Sequence, residues 1–240
     1  MSKYLNFIQG IIYDLDGTLN LSTAYYDVYD DYFTTLLSKF LNASFEDAEL
    51  LVNRSLQNKT GLTSLIQSLH IDSPLFYNEL AKMIPINDLI PRDDRLIRVI
   101  ESINNMNIVQ AVCSNTGYGI ISNILESMGV RRHFREIVSS DETGLKPSPE
   151  PYIYTLNKLK INAVNCIYVG DRIKMEIETA KTLGMTTVFV KSYLMEGKNI
   201  NYNAADYSIE SVYELPTLLN KKLGGLWYVQ TLINYLEKYL

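Results

Sequence analysis

The stretch Ile8-Gln9-Gly10-Ile11-Ile12-Tyr13-Asp14-Leu15-Asp16-Gly17-Thr18 decides how this chain is read. The apolar run from Ile8 to Leu15 has the length of one strand. It ends in two carboxylates one residue apart, followed by a glycine and a threonine that let the backbone turn sharply. A run that does not alternate apolar with polar residues is the pattern of a strand buried on both faces, as in a parallel sheet. Two acids crowded at the end of such a strand repel one another, so their charge calls for a cation.

Similar runs recur at Ile108–Cys113, Cys166–Val169 and Thr186–Val190, and helical periodicities lie around them at Arg95–Met106, Tyr118–Met128, Pro149–Lys160 and Ile173–Leu183. Strand and helix alternate from about residue 91 onward, which predicts an α/β fold with a doubly wound parallel sheet. Residues 21–90 break the alternation. They offer helical patterns at Tyr25–Leu41, Phe45–Gln57, Thr60–Leu69 and Pro74–Met83 and no convincing strand. Ser44 with Asp47, and Asp72 or Ser73 ahead of Pro74, are the expected helix starts. The expected division is therefore a core of residues 1–20 and 91–240 with a small all-helical insertion at 21–90. The tail Leu226–Leu240 has roughly helical spacing and is expected to pack on the core, with a dimer contact as the alternative.

With 47% apolar residues the chain can bury a substantial interior. Its 27 acidic and 22 basic residues leave a net charge of -5, so no overall basic field draws it to nucleic acid or to anionic membrane. No run approaches the ~20 apolar residues of a membrane span, and the first ten residues lack the apolar core of a secretory signal, so a cytoplasmic location is expected. Cys113 and Cys166 have neither CxxC nor Cys/His spacing, and are expected to be small buried hydrophobes in a reducing compartment.

In open α/β sheets ligands bind where strands end, so the residues after each run are the candidates for chemistry. After the second run stand Ser114-Asn115-Thr116, hydroxyl and amide donors able to hold a phosphate oxygen. Farther on, Gly144-Leu145-Lys146-Pro147-Ser148-Pro149-Glu150 sets one lysine in a proline-braced segment. The run from Cys166 continues through Gly170 to Asp171, with Glu176 five residues beyond. Each segment alone has an ordinary reading as a turn, a helix cap or a surface lysine. Together they have an order.

Asp14-Leu15-Asp16-Gly17-Thr18, Ser114-Asn115, Lys146-Pro147 and Gly170-Asp171 with Glu176, at spacings of 100, 32 and 25 residues from Asp14 through Ser114 and Lys146 to Asp171, resemble the haloacid dehalogenase superfamily over nearly the whole core. The resemblance implies its Rossmann-like fold, with the helical insertion as the cap domain. It also implies that Asp14 is the nucleophile of a phosphohydrolase, Asp16 the acid and base, and Ser114, Asn115 and Lys146 the phosphate-holding groups. Mg2+ would be held by Asp14, the Asp16 backbone carbonyl and Asp171. The last acid of the motif is usually aspartate, so Glu176 is expected one step back from the metal, orienting Asp171 or a metal-bound water, with Glu178 as a substitute. Asp16 argues against dehalogenation, which needs no proton for its leaving group. The alternatives are a phosphomutase of the same family and a non-catalytic phosphate-binding or regulatory protein. The expected partner is a small phosphorylated metabolite, met by a monomer or homodimer. Tyr25, Tyr26 and Tyr29, and separately Arg54, Lys59 and Thr60-Gly61, are the candidates for substrate contact in the insertion.

Overall fold

The computed structural model of the chain describes residues 8–192 and 202–223. Six strands form one parallel sheet: β1 (Gly10–Tyr13), β2 (Val109–Cys113), β3 (Glu136–Val138), β4 (Cys166–Gly170), β5 (Thr186–Val190) and β6 (Tyr207–Ile209), in the order β3-β2-β1-β4-β5-β6. The chain winds outward from β1 to one edge and then returns to build the other, so the direction of winding reverses at β1. The expected α/β fold is what the chain adopts. β3 and β6, three residues each, were too short to stand out as apolar runs.

Alternation along the strands sends side chains to two faces. Ile11, Tyr13, Val112, Ile167, Val169 and Val188 face an apolar cluster supplied by α6 (Asp94–Asn104), α7 (Tyr118–Ser127) and α10 (Leu215–Leu218). Ile12, Ala111, Cys113, Cys166, Tyr168 and Phe189 face a second cluster, covered by α8 (Glu150–Leu159) and α9 (Glu178–Thr182). The central strands are covered on both sides, which is why their sequences read as unbroken apolar runs.

Between β1 and α6 come five helices and no strand: α1 (Thr23–Leu41), α2 (Phe45–Gln57), α3 (Leu62–Ser68), α4 (Ser73–Met83) and α5 (Ile86–Leu89). Ser44 Oγ accepts the Asp47 N–H and Asp72 Oδ1 accepts the Leu75 N–H, so the caps of α2 and α4 stand where their residue types place them. Ser22 Oγ accepts the Tyr25 N–H and donates to Leu89 O at 2.7 Å, which starts α1 and ties the two ends of the helical segment together. α3 is shorter than its pattern because Gly61 takes φ +85° just ahead of it, and Thr60 is spent in the turn on Ser55. The segment shares an apolar cluster with the sheet, through Phe33, Leu37, Phe76, Tyr77 and Leu80. α4 lies against α7 because Gly117 and Gly119 have no side chains. A Cβ on Gly117 would come within 2.3 Å of Tyr77 Cβ.

Cys113 and Cys166 are buried free thiols on strands flanking β1, as the family's strand order implies. They are farther apart than two strand spacings. Cys166 is level with Gly10, whereas Cys113 follows Val112, which is level with Tyr13. That four-residue offset adds about 13 Å along the strands. The tail Leu226–Leu240 lies outside the described residues. Among those described, no helix is long and apolar enough to cross a membrane.

Gly117→Ala is expected to force α4 off α7 and destabilise the protein by about 1–3 kcal/mol, the usual cost of overpacking. Urea denaturation of the two proteins measures it.

Candidate active site

The sheet register assembles the candidates before any side chain is considered. Tyr13 is level with Val112 on one side and Val169 on the other. Asp14 therefore lies beside Cys113 and Gly170, and the next residues on those neighbours are Ser114 and Asp171. Three groups more than 50 residues apart in the chain meet at the carboxyl ends of three adjacent strands.

Lys146 joins them from the loop after β3. Its ammonium is almost wholly buried and lies 2.6 Å from Asp14 Oδ1, 2.7 Å from Glu176 Oε1, 3.0 Å from the Tyr168 hydroxyl and 3.1 Å from Cys113 O. Burial alone would make this amine easier to deprotonate, but the charges of Asp14 and Glu176 outweigh it and hold the lysine charged. Proline bracing is only part of what aims it. Asn115 Oδ1 accepts the Lys146 N–H at 2.8 Å and Asn115 Nδ2 donates to Lys146 O at 2.9 Å. The Asn115 side chain is thus fully engaged by the lysine backbone. What Asn115 offers an anion is its N–H, which, like those of Leu15 and Asp16, makes no hydrogen bond among the described residues. Among the described residues the Ser114 hydroxyl only accepts, from the Thr116 N–H at 3.3 Å.

Glu176 is reached through a widened first turn, in which the N–H groups of both Glu176 and Ile177 donate to Arg172 O. One carboxylate oxygen takes the Lys146 ammonium and the other accepts the Arg172 N–H at 3.2 Å. The structure therefore gives Glu176 two partners of its own, neither of which is Asp171. Two glycines make room for this crowding. A Cβ on Gly17, whose φ is +86°, would stand 2.2 Å from Asp171 Oδ2, and one on Gly170 would stand 2.3 Å from Glu176 Oε2.

Asp14, Asp171 and Glu176 can each present an oxygen within 4.8 Å of the others. Both oxygens of Asp171 are buried with no hydrogen-bond partner among the described residues, and the nearest cation is Arg172 Nε, 4.0 Å from Oδ1. A buried carboxylate without donors costs free energy unless a cation supplies what is missing. Burial, followed by the like charges of Glu176 and Asp14, pushes Asp171 well above the usual carboxylate range, and burial followed by Asp14 pushes Glu176 up. This all-oxygen donor set fits a hard divalent cation.

Asp16 is half-buried, and its Oδ1 accepts from Asn20 Nδ2 and from the Tyr26 hydroxyl, each at 3.2 Å. Burial and then the charge of Asp14 raise it. Tyr25 and Tyr29 pack in the apolar cluster, Tyr29 against Phe33, and of that trio Tyr26 is the one whose hydroxyl hydrogen-bonds Asp16 among the described residues. Arg54, Lys59 and Thr60 stand exposed at the α2–α3 turn. The insertion's second polar reach into the site is Thr63, whose hydroxyl donates to Asn115 O at 2.7 Å and accepts from the Tyr77 hydroxyl at 2.6 Å. Tyr168, Tyr77 and Thr63 had no distinguishing signal, because each lies within an ordinary strand or helix pattern.

Residues 11–190 match the family model described as haloacid dehalogenase-like hydrolase. The chain is 26% identical over 222 residues to the glyceraldehyde 3-phosphate phosphatase of Methanocaldococcus jannaschii, covering 87% of this chain and 95% of that one. A shorter match, 34% identical over 92 residues, covers 37% of this chain and 39% of the protein of the same name from Methanopyrus kandleri. Among solved structures, a HAD phosphatase from Thermococcus onnurineus superposes with TM-score 0.66 at 22% identity, covering 88% of this chain and 98% of that chain. The β-phosphoglucomutase of Clostridium difficile superposes with TM-score 0.59 at 19% identity, covering 94% of this chain and all of the other.

Lys146→Met leaves Asp14 and Glu176 buried without their cation, and is expected to cost about 3–5 kcal/mol in urea denaturation. Adding Glu176→Gln should recover part of the loss. The pH dependence follows from the raised carboxyls. Without metal, the folded state holds a proton on Asp171 that the unfolded chain releases above about pH 4. Stability in EDTA should therefore fall as pH rises from there toward neutrality, and a divalent cation should flatten the decline in the same titration.

Proposed function

The chain belongs to the haloacid dehalogenase-like hydrolase family, and on that premise we propose that it is a Mg2+-dependent phosphatase that hydrolyses a small phosphomonoester through a phosphoryl group carried on Asp14. The observation that carries the reading is the charge arrangement. One buried ammonium serves Asp14 and Glu176, while Asp171 beside them has two buried oxygens and no donor among the described residues. Asp14, the Asp16 carbonyl and Asp171 would hold the cation. When bound, it would supply positive charge against the phosphoryl oxygens.

The reaction divides into two displacements. The Asp14 carboxylate forms a bond to phosphorus as the ester P–O bond breaks, and Asp16 gives its proton to the departing alcohol oxygen. Asp16, now a carboxylate, takes a proton from water as that water's oxygen bonds to phosphorus and the bond to Asp14 breaks. The products are alcohol and inorganic phosphate, and Asp16 is protonated again. Lys146 has all its protons engaged by protein acceptors, so it acts chiefly by neutralising Asp14. The phosphoryl oxygens fall to the Ser114 hydroxyl and the free N–H groups of Leu15, Asp16 and Asn115. Residues 21–90 act as a cap that keeps water away and limits substrate size, a reading supported by the reach of Tyr26 to Asp16 and of Thr63 to Asn115. The relatives' names make glyceraldehyde 3-phosphate the first substrate to try, within a panel of sugar phosphates, phosphoglycolate, nucleotides and pyrophosphate.

Phosphate release from this panel, with Mg2+ and with EDTA, tests the proposal. Turnover should require the metal and return when it is restored. Asp14→Asn, nearly isosteric and a poor nucleophile, should keep the fold by circular dichroism and lose all but about one per cent of the rate. Metal-independent turnover, or a fully active Asp14→Asn, would overturn it.

A further inference from the structure

We infer that Tyr26 is a positioning residue for Asp16, holding one carboxylate oxygen so that the other is the one that exchanges the proton with substrate and water. The inference rests on the reading of Asp16 as acid and base. Tyr26 lies on the first turns of α1, where its ring packs edge-on against Tyr25 at 5.4 Å between centroids. A phenylalanine would make the same ring contact, so packing does not call for the hydroxyl. The hydroxyl instead sits over the turn that follows Asp16. It accepts the Gly17 N–H at 3.2 Å, and its own proton has two acceptors, Asn20 O at 2.9 Å and Asp16 Oδ1 at 3.2 Å.

Asn20 completes the arrangement. Its Nδ2 donates to the same Asp16 Oδ1 at 3.2 Å, while its Oδ1 accepts the Ser22 N–H that leads into α1. Two donors thus converge on Asp16 Oδ1. Oδ2 has no hydrogen-bond partner among the described residues and is not among the buried unpartnered atoms, so it is open. A proton on Oδ1 would face the Asn20 amide N–H and displace the Tyr26 proton wholly onto Asn20 O, so both donations would be lost; on Oδ2 it meets neither donor. When Asp16 has given up its proton, the same two donors stabilise the resulting carboxylate without a change of rotamer. Rotation of the carboxyl would break both bonds at once, so the proton is presented from a fixed direction.

Tyr26→Phe removes the hydroxyl and keeps the ring. Two phosphomonoesters separate positioning of the proton from mere folding: an alkyl phosphate, whose leaving group needs the proton, and p-nitrophenyl phosphate, whose leaving group does not. With the alkyl ester, kcat should fall roughly 10- to 100-fold, the worth of a hydrogen bond to a charged group, while KM stays within about threefold. With the aryl ester, the first release of nitrophenol should keep the parent's rate and amplitude, and only the later steady state, which needs Asp16 as base, should slow. That burst also counts folded sites, so rates per site remain interpretable for a variant that has lost stability. An unchanged kcat on the alkyl ester, or a burst slowed by the same factor as the steady state, would overturn the inference. Asp16→Asn, run alongside, separates the two readings: full alkyl turnover in that variant defeats the assignment of Asp16 and this inference with it. An inactive Asp16→Asn beside a fully active Tyr26→Phe defeats the positioning alone.

Discussion

Among the described residues, Lys146 carries the one ammonium set within a group of buried carboxylates, and much of the molecule is arranged to keep it there. Its 2.6 Å contact with Asp14 and 2.7 Å contact with Glu176 give two buried acids a counter-charge they cannot obtain from water. The arrangement is stable only because every other acceptor around the ammonium is also supplied by the protein, from Cys113 O and the Tyr168 hydroxyl. Asn115 holds the lysine's backbone from both sides, and the two bare glycines leave room for Asp171 and Glu176 beside it. Asp171 is the group this ammonium does not satisfy: neither of its buried oxygens has a hydrogen-bond partner among the described residues.

The helical segment between β1 and β2 is coupled to this centre by apolar packing and by two hydroxyl contacts. Its helices share a cluster with the sheet, and α4 is fitted closely to α7 where Gly117 lacks a Cβ. Against that packing, Tyr26 and Thr63 deliver two polar atoms to the loops after β1 and β2. Both loops carry site residues, so a shift of the helices would be felt at Asp16 and Asn115 directly, with no long path between them.

The fold was legible because the strand pattern is local. Runs such as Ile108–Cys113 are continuous in sequence, and each helix start that was read correctly has its cap residue within three positions of the N–H it binds. β3 and β6 escaped notice because three residues hold too little periodicity to stand apart from a loop. The site was legible in the same measure. Asp14, Asp16, Ser114, Lys146 and Asp171 stand in short motifs at strand ends, whereas Tyr168 looks like one more apolar residue of a buried strand until the alternation of β4 turns it toward Lys146.

The sequence by itself determined which elements form, their order and which residues would meet, since these follow from periodicity, turn chemistry and the spacing of short motifs. Only the tertiary structure decided which charge serves which. The Lys146 contact with Asp14 joins residues 132 positions apart, and no local pattern records that Glu176 shares the same ammonium or that Asp171 has no donor among the described residues. Pairing at that distance is set by sheet register and by the volume available around buried atoms, and both exist only once the strands are side by side.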